Sequence, residues 1–274
     1  YGDRIVPAAS HVKNVTVHAA RDSRTGNVTI VLVNRGNEPA DFKLILNSGE
    51  DQNEGNIYFD LGARKRIPSG ISIGLQESPE ALVREVEEAV ARGYHRVKVK
   101  VKKGKDVEYV AAVRERFPDL PLMADANGDY RLEDAAHLAR LDAFGLTMIE
   151  QPLSYSDFYE HALLQKELAT PLCLDESIHD LADAKAAIAL GGCRVLNLKQ
   201  GRVGGLLESL RLLRHAVACG VPVWSGGMDE TGIGRAVNIH LQTVEGFTLP
   251  GDTSETSRYF HEDLVDPPVV LDAE

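Results

Sequence analysis

The chain has 274 residues, 43% of them hydrophobic and 26% charged, which is the make-up of an ordinary water-soluble globular protein. A net charge of −11 argues against nucleic acid and against an anionic membrane surface as partners. No apolar run approaches the roughly 18 residues that a membrane span needs, and no signal peptide opens the chain.

The chain starts at Tyr1 rather than Met and reads as a processed or engineered piece. Cys173, Cys193 and Cys219 are odd in number and lie in apolar segments without metal-type spacing, so they read as free thiols in a reducing cytoplasm. Residues 1–66 read as a small antiparallel β unit, with short strands over 14–19, 28–34, 42–46 and 57–60. The Arg24, Thr25, Gly26, Asn27 turn offers residues that tolerate positive φ and predicts a hairpin between the first two strands. Residues 47–56 are polar and acidic and read as a loop.

From residue 67 a different period sets in. Strands are expected over 71–75, 96–101, 120–124, 146–149, 171–174, 194–198, 221–224 and 247–249. Helices are expected between them, over 79–92, 106–117, 132–144, 157–168, 181–190, 206–218 and 232–243. Eight strands and seven intervening helices make an α/β fold, a (β/α)7β TIM-like barrel over 67–274.

Charged residues end the apolar runs with a constant stride. Lys98 and Lys100 lie in HRVKVKV, Asp125 ends LPLMAD, Glu150 ends LTMIE, Asp175 ends PLCLD and Lys199 ends RVLNLK. The steps from Lys100 to Asp125, Glu150, Asp175 and Lys199 are 25, 25, 25 and 24 residues, one strand plus one helix plus two short loops each. Three acids at the carboxyl ends of successive parallel strands converge on one point. With oxygen donors and no clustered His or Cys, they suit a hard cation, Mg²⁺ first and Mn²⁺ as a substitute. Lys98 and Lys100 are two apart on one strand and share a face, while Lys199 approaches from across the barrel. A lysine beside a divalent cation and another lysine has its neutral form favoured, and so can act as a base. Such a site suits removal of a proton α to the carboxylate of a small substrate, with the metal stabilising the enediolate. His137, His161, His179, His215 and His240 show no carboxylate partner at ligand spacing and read as surface or packing residues.

These runs, together with GluGlnPro at 150–152, LeuAspGluSer at 174–177, GlyGlyMet at 226–228 and LeuProGlyAsp at 249–252, resemble the enolase superfamily. Within its muconate-lactonising subgroup, the chain is similar to the o-succinylbenzoate synthase and N-acylamino acid racemase family over about residues 68–260. The resemblance implies a lyase or racemase with Asp125, Glu150 and Asp175 as Mg²⁺ ligands, Lys100 and Lys199 as the acid/base pair, and Lys98 supporting Lys100. It implies Asn127 and Glu176 as groups beside the ligands, and Ser72, Gly226, Gly227, Met228 and Asp252 as substrate-lining residues. The o-succinylbenzoate activity places it in menaquinone biosynthesis. The alternatives are a dipeptide epimerase, a muconate cycloisomerase, or an inactive or engineered barrel scaffold. Family members carry a cap domain that closes over the substrate, whereas residues 1–66 match no such cap, so an open catalytic face is expected. A homo-oligomer is allowed by this reading.

Overall fold

The fold is that of a computed structural model, which describes residues 66–272 fully and, before them, the backbone of five strands. β1 (Arg4–Val6), β2 (Val15–Arg21) and β3 (Val28–Asn34) form an antiparallel sheet in that order, with Val15 opposite Asn34 and Arg21 opposite Val28. β4 (Lys43–Leu46) pairs antiparallel with β5 (Ile57–Asp60). Runs such as VTIVLVN are rich in β-branched residues, which fit a pleated surface better than a helix. The expected hairpin strands are therefore present, and β1 is an addition to them. The expected turn at 24–27 and the loop at 47–56 lie outside the described residues.

The barrel strands are β6 (Gly70–Ile73), β7 (Arg96–Lys100), β8 (Leu122–Asp125), β9 (Ile149–Glu150), β10 (Leu172–Leu174), β11 (Val195–Leu198) and β12 (Val223–Ser225). Each is parallel to the next in chain order. The eighth expected strand, 247–249, does not form a regular ladder. Segment 247–252 instead makes a parallel bridge on each side, Phe247 to Val223 and Gly251 to Ser69. The Gly70 amide donates to the Gly251 carbonyl at 2.6 Å and the Asp252 amide to that of Ser225 at 2.9 Å. Pro250 has no N–H, which interrupts the ladder while leaving the circle closed.

The helices sit where the sequence placed them, for reasons visible at their ends. α1 (Pro79–Ala91) starts on Ser78, whose hydroxyl accepts from the Ala81 amide, and buries Leu82, Val86 and Ala89. α2 (Val107–Arg116) starts on Asp106. The span expected to be one helix over 132–144 is a 3₁₀ turn (Leu132–Asp134), a short α3 (Ala135–Leu138) and a second 3₁₀ stretch (Ala139–Phe144) that stops at left-handed Gly145. α4 (Tyr159–Glu167), α5 (Leu181–Leu190), α6 (Leu206–Ala218) and α7 (Gly232–Gln242) follow. Asp180 caps two amides of α5, and Gly191 ends it at φ 76°.

One apolar cluster packs β6–β10 against α1–α4, and a second packs β10–β12 against α5–α7. Met123, Met148, Cys173, Val195 and Trp224 form a third. Trp224 is fully buried, its indole N–H donating to Cys173 Sγ at 3.3 Å. Each buried large apolar side chain contributes about 1.5–3 kcal/mol, so this packing fixes the strand ends that carry the charged residues. After the barrel the chain returns, with the Leu271 amide donating to Glu255 and Asp272 paired with Arg66. Among the described residues no helix is long and apolar enough to cross a membrane.

Candidate active site

The strand register sets the site. Lys100 lies opposite Asp125, and Asp125 opposite Glu150, so the acids occupy neighbouring positions at the carboxyl ends of β8 and β9, with Asp175 just past β10. All three carboxylates are 1% exposed or less, which in a barrel end open to solvent requires compensation. Lys98 supplies part of it: its Nζ is 3.0 Å from Glu150, 3.2 Å from Asp125 and 3.0 Å from Asp252. Lys100 Nζ is 2.5 Å from both Asp125 and Asn127 Oδ1. Lys199 Nζ is 2.7 Å from Asp175 Oδ2, while Arg202 holds its Oδ1 at 2.6 Å. Asn197 donates to Glu150 at 2.7 Å, and Arg96 pairs with Asp252 at 2.7 Å while stacking over Trp224.

The electrostatics follow from this crowding. Burial, and then the charge of Asp125, push the Glu150 carboxyl up to about 8 against the pull of Lys98. For Lys98, burial works downward but the charges of Asp252, Glu150 and Asp125 outweigh it and hold the ammonium well above its usual range. Lys199 is also raised: burial lowers it, yet Asp175 and Glu150 prevail over burial and the repulsion of Lys98. The neutral form expected of a lysine beside a divalent cation and another lysine is a property of the cation-loaded site; the carboxylates alone favour the charged form of Lys98 and Lys199.

Two loops after the strand ends carry left-handed backbone at non-glycine residues, Asn127 at φ 44° and Gln151 at φ 40°. Asn127 donates to Glu176 Oε1 at 2.7 Å and so links Lys100 to Glu176. Gln151 is fully buried: its Oε1 accepts from the Asp175 and Ser177 amides at 3.0 and 3.3 Å, and its Nε2 donates to Ser177 Oγ at 2.7 Å and the Leu153 carbonyl at 3.2 Å. Sequence reasoning assigned no role to Gln151, Asn197 or Arg202. Their spacing of 24 to 47 residues from their partners is one or two strides of the barrel repeat, the signal that could have found them.

Above the carboxylates lies a cleft of about 260 Å³, lined by Ser72, Gly74, Lys98, Lys100, Lys199, Gly227, Met228, Asp229, Asp252, Ser254, Arg258 and Tyr259. Ser72, Gly227, Met228 and Asp252, expected as substrate-lining residues, line this cleft, and Lys100 and Lys199 open on the same space. Gly226 lies behind the wall. A Cβ there would come within 2.1 Å of Asn197 Oδ1 and 2.7 Å of Lys199 Cε, and one on Gly227 within 2.3 Å of the Asp252 carbonyl and 2.9 Å of Arg235 Nη1, so the two glycines let the chain pass these groups. Gly74, Ser254, Arg258 and Tyr259 were not anticipated. Three of the histidines have a carboxylate neighbour that the sequence did not show: His137 lies 2.7 Å from Asp106, and His179 and His161 lie 3.1 and 3.4 Å from Asp183 and Asp157, four residues away in each case.

Among the described residues, no three His, Cys, Asp or Glu side chains converge tightly enough to hold a metal as they stand, because each strand-end acid is turned to a cation of the chain. The donor set nevertheless fits a hard divalent ion. It is all oxygen, it comes from three rigid strand ends, and it includes a carboxyl that burial drives toward protonation for want of more positive charge. Glu176 Oε2 is buried without a hydrogen-bond partner beside it.

A family profile described as Enolase C-terminal domain-like matches residues 81–273. The o-succinylbenzoate synthase of Geobacillus kaustophilus is 52% identical over 208 residues, 76% of this chain and 56% of that protein. The N-succinylamino acid racemase of Thermus thermophilus is 51% identical, over 75% of this chain and 56% of that one. The match thus spans little more than half the length of these relatives. Among solved structures, an enolase superfamily member from Listeria innocua is similar with a TM-score of 0.75 and 46% identity, covering 78% of this chain and 58% of that one. More distant is a dipeptide epimerase of Enterococcus faecalis solved with Mg and a dipeptide, 26% identical with a TM-score of 0.71, over 78% of this chain and 61% of that one. With its barrel of parallel strands and its three strand-end acids, the chain belongs to the enolase superfamily, in the enolase C-terminal domain-like family.

Proposed function

We propose that residues 67–274 form the catalytic barrel of an enzyme that removes a proton α to a carboxylate, acting as an o-succinylbenzoate synthase, an N-succinylamino acid racemase, or both. The observation that carries this is the pair Lys100 and Lys199, on β7 and just after β11, opening on one cleft above three buried strand-end acids. The similarity at 52% and 51% identity to relatives with those two names supports the choice over the dipeptide epimerases, at 28%. A neighbour titled a mandelate racemase/muconate lactonizing enzyme, from Roseiflexus, is only 25% identical, which likewise ranks a muconate cycloisomerase lower.

Asp125, Glu150 and Asp175 would hold Mg²⁺, with Mn²⁺ as substitute. Such an ion supplies Lewis-acid stabilisation of negative charge on the substrate carboxylate and offsets the negative charge of the carboxylates that face the lysines. The rest is done by the chain. Lys100 and Lys199 take and return protons from opposite walls. In racemisation, one removes the α-proton and the other delivers a proton to the opposite face. In dehydration, the same removal is followed by loss of the β-hydroxyl as water, with a lysine ammonium giving the proton. Lys98 holds Asp125 and Glu150 in place, Asn127 orients Lys100, and the wall at Ser72, Met228 and Asp252 contacts the rest of the substrate. Both proposed substrates carry a succinyl group, hence a second carboxylate. Three free cysteines suit a cytoplasmic setting.

Turnover of N-succinyl-L-valine, followed by polarimetry with Mg²⁺ and then with chelator, tests the reading. Racemisation that stops with chelator, or dehydration of the o-succinylbenzoate precursor that does so, is expected. Failure of the barrel to bind Mg²⁺ calorimetrically, with neither reaction observed, would leave the scaffold reading instead.

A further inference from the structure

Four cations line the cleft, and three of them are spoken for. Lys98 is matched by Asp125, Glu150 and Asp252, Lys100 by Asp125, and Lys199 by Asp175. The fourth, Arg258, makes no ion pair among the described residues. It sits in the 3₁₀ turn (Thr256–Arg258) that follows the closing segment. The carboxylates come from β8, β9 and β10, and the closing segment joins β12 to β6 on the far side of the circle. Arg258 therefore stands across the cleft from the acids. One Nη donates to the Ser72 carbonyl, and the guanidinium lies 5.8 Å from the Tyr259 ring, contacts that set its position. Most of its five N–H donors remain available in a fixed fork. Asp229 lines the same cleft but makes no ion pair with Arg258, so it leaves that fork uncommitted.

We propose that Arg258 is a specificity residue that binds the second, remote carboxylate of a dicarboxylate substrate, while the first carboxylate lies at the acid and lysine end. This rests on the function proposed above and names what selects the acyl portion. A planar fork with parallel N–H donors matches a carboxylate and holds it at a defined distance from the reacting carbon. A monocarboxylate of the same shape would leave the guanidinium hydrated and lose that contact.

The test is calorimetric binding, with Mg²⁺ present, of N-succinylglycine and of its analogue with the remote carboxylate replaced by a carboxamide. Glycine is achiral, so racemisation does not complicate the titration. The wild-type protein should bind the succinyl compound about tenfold or more tightly than the carboxamide. Arg258→Met should bring the two within about twofold, and Arg258→Lys should keep part of the preference, since it retains charge without the fork. Arg258 is exposed, so the variants should fold, which urea unfolding checks. Equal affinity for both compounds in the wild type, or a preference that survives in Arg258→Met, overturns the assignment and leaves the proton-abstraction reading standing. Binding of neither compound by the wild type overturns both.

Discussion

Replacing Gln151 offers a test in which a smaller side chain should do less harm than a larger one. The Gln151 carboxamide joins two loops that carry strand-end acids. It accepts from the Asp175 and Ser177 amides and donates to Ser177 Oγ and the Leu153 carbonyl, all buried. Gln151→Ala strands these groups, and each buried polar group left without a partner costs about 1–3 kcal/mol. Allowing for partial relaxation and water entry, we expect a loss of about 3 kcal/mol. The backbone at 151 is left-handed, φ 40°, which alanine tolerates poorly and glycine accepts. Gln151→Gly should therefore be more stable than Gln151→Ala by about 1 kcal/mol, although it removes one more carbon. Urea unfolding of the three proteins measures this. If the glycine variant is equal to or less stable than the alanine variant, the left-handed turn after Glu150 is not what constrains this position.

His161 is buried, accepts at Nε2 from the Leu153 amide, and lies with Nδ1 2.7 Å from the Asp157 carbonyl, so it is neutral and burial depresses its affinity for a proton. Because the unfolded chain binds that proton first, stability should be full above the ordinary histidine range near 6.5 and fall as pH drops below it, with the slope reduced in His161→Gln; denaturation midpoints from pH 8 to 5 show it. Lys98→Met leaves three buried carboxylates without their shared cation and should cost about 3–5 kcal/mol, an amount that excess Mg²⁺ partly restores in thermal unfolding. Gly227→Ala sets a Cβ against Arg235, which holds the Met228 and Asp252 carbonyls. It should lower stability by about 1–3 kcal/mol and raise KM while leaving Mg²⁺ affinity in place.

The barrel was legible because its repeat is written twice in the sequence, once as apolar strands and once as the charged residue that ends each. A parallel sheet covered on both faces needs continuous apolar runs such as LPLMA and RVLNL, and these stand out from helices marked by Ser78, Asp180 and Gly191. The segment 132–144 was harder, because apolar spacing does not distinguish an α-helix from 3₁₀ turns of similar pitch. The closing segment was read as a strand because Phe247 and Leu249 alternate, while Pro250 and the bridging geometry break the ladder. Asp125, Glu150 and Asp175 stood out through their stride. Gln151, Asn197 and Arg258 did not: the first two keep the repeat's spacing but carry no charge to mark it, and the guanidinium lies in a turn outside the repeat. Lys199 likewise reads as a base from its place in the chain, while its ion pair with Asp175 emerges only on folding.

The central claim is that Lys100 and Lys199 work from opposite faces of one substrate. Exchange of the α-proton of N-succinyl-D-valine and N-succinyl-L-valine with deuterated solvent, followed separately by proton NMR in the presence of Mg²⁺, tests it most directly. Lys100→Ala should abolish exchange from one enantiomer and Lys199→Ala from the other, each variant retaining the reaction that its remaining lysine starts. Exchange from both enantiomers at wild-type rates in either variant would contradict the account.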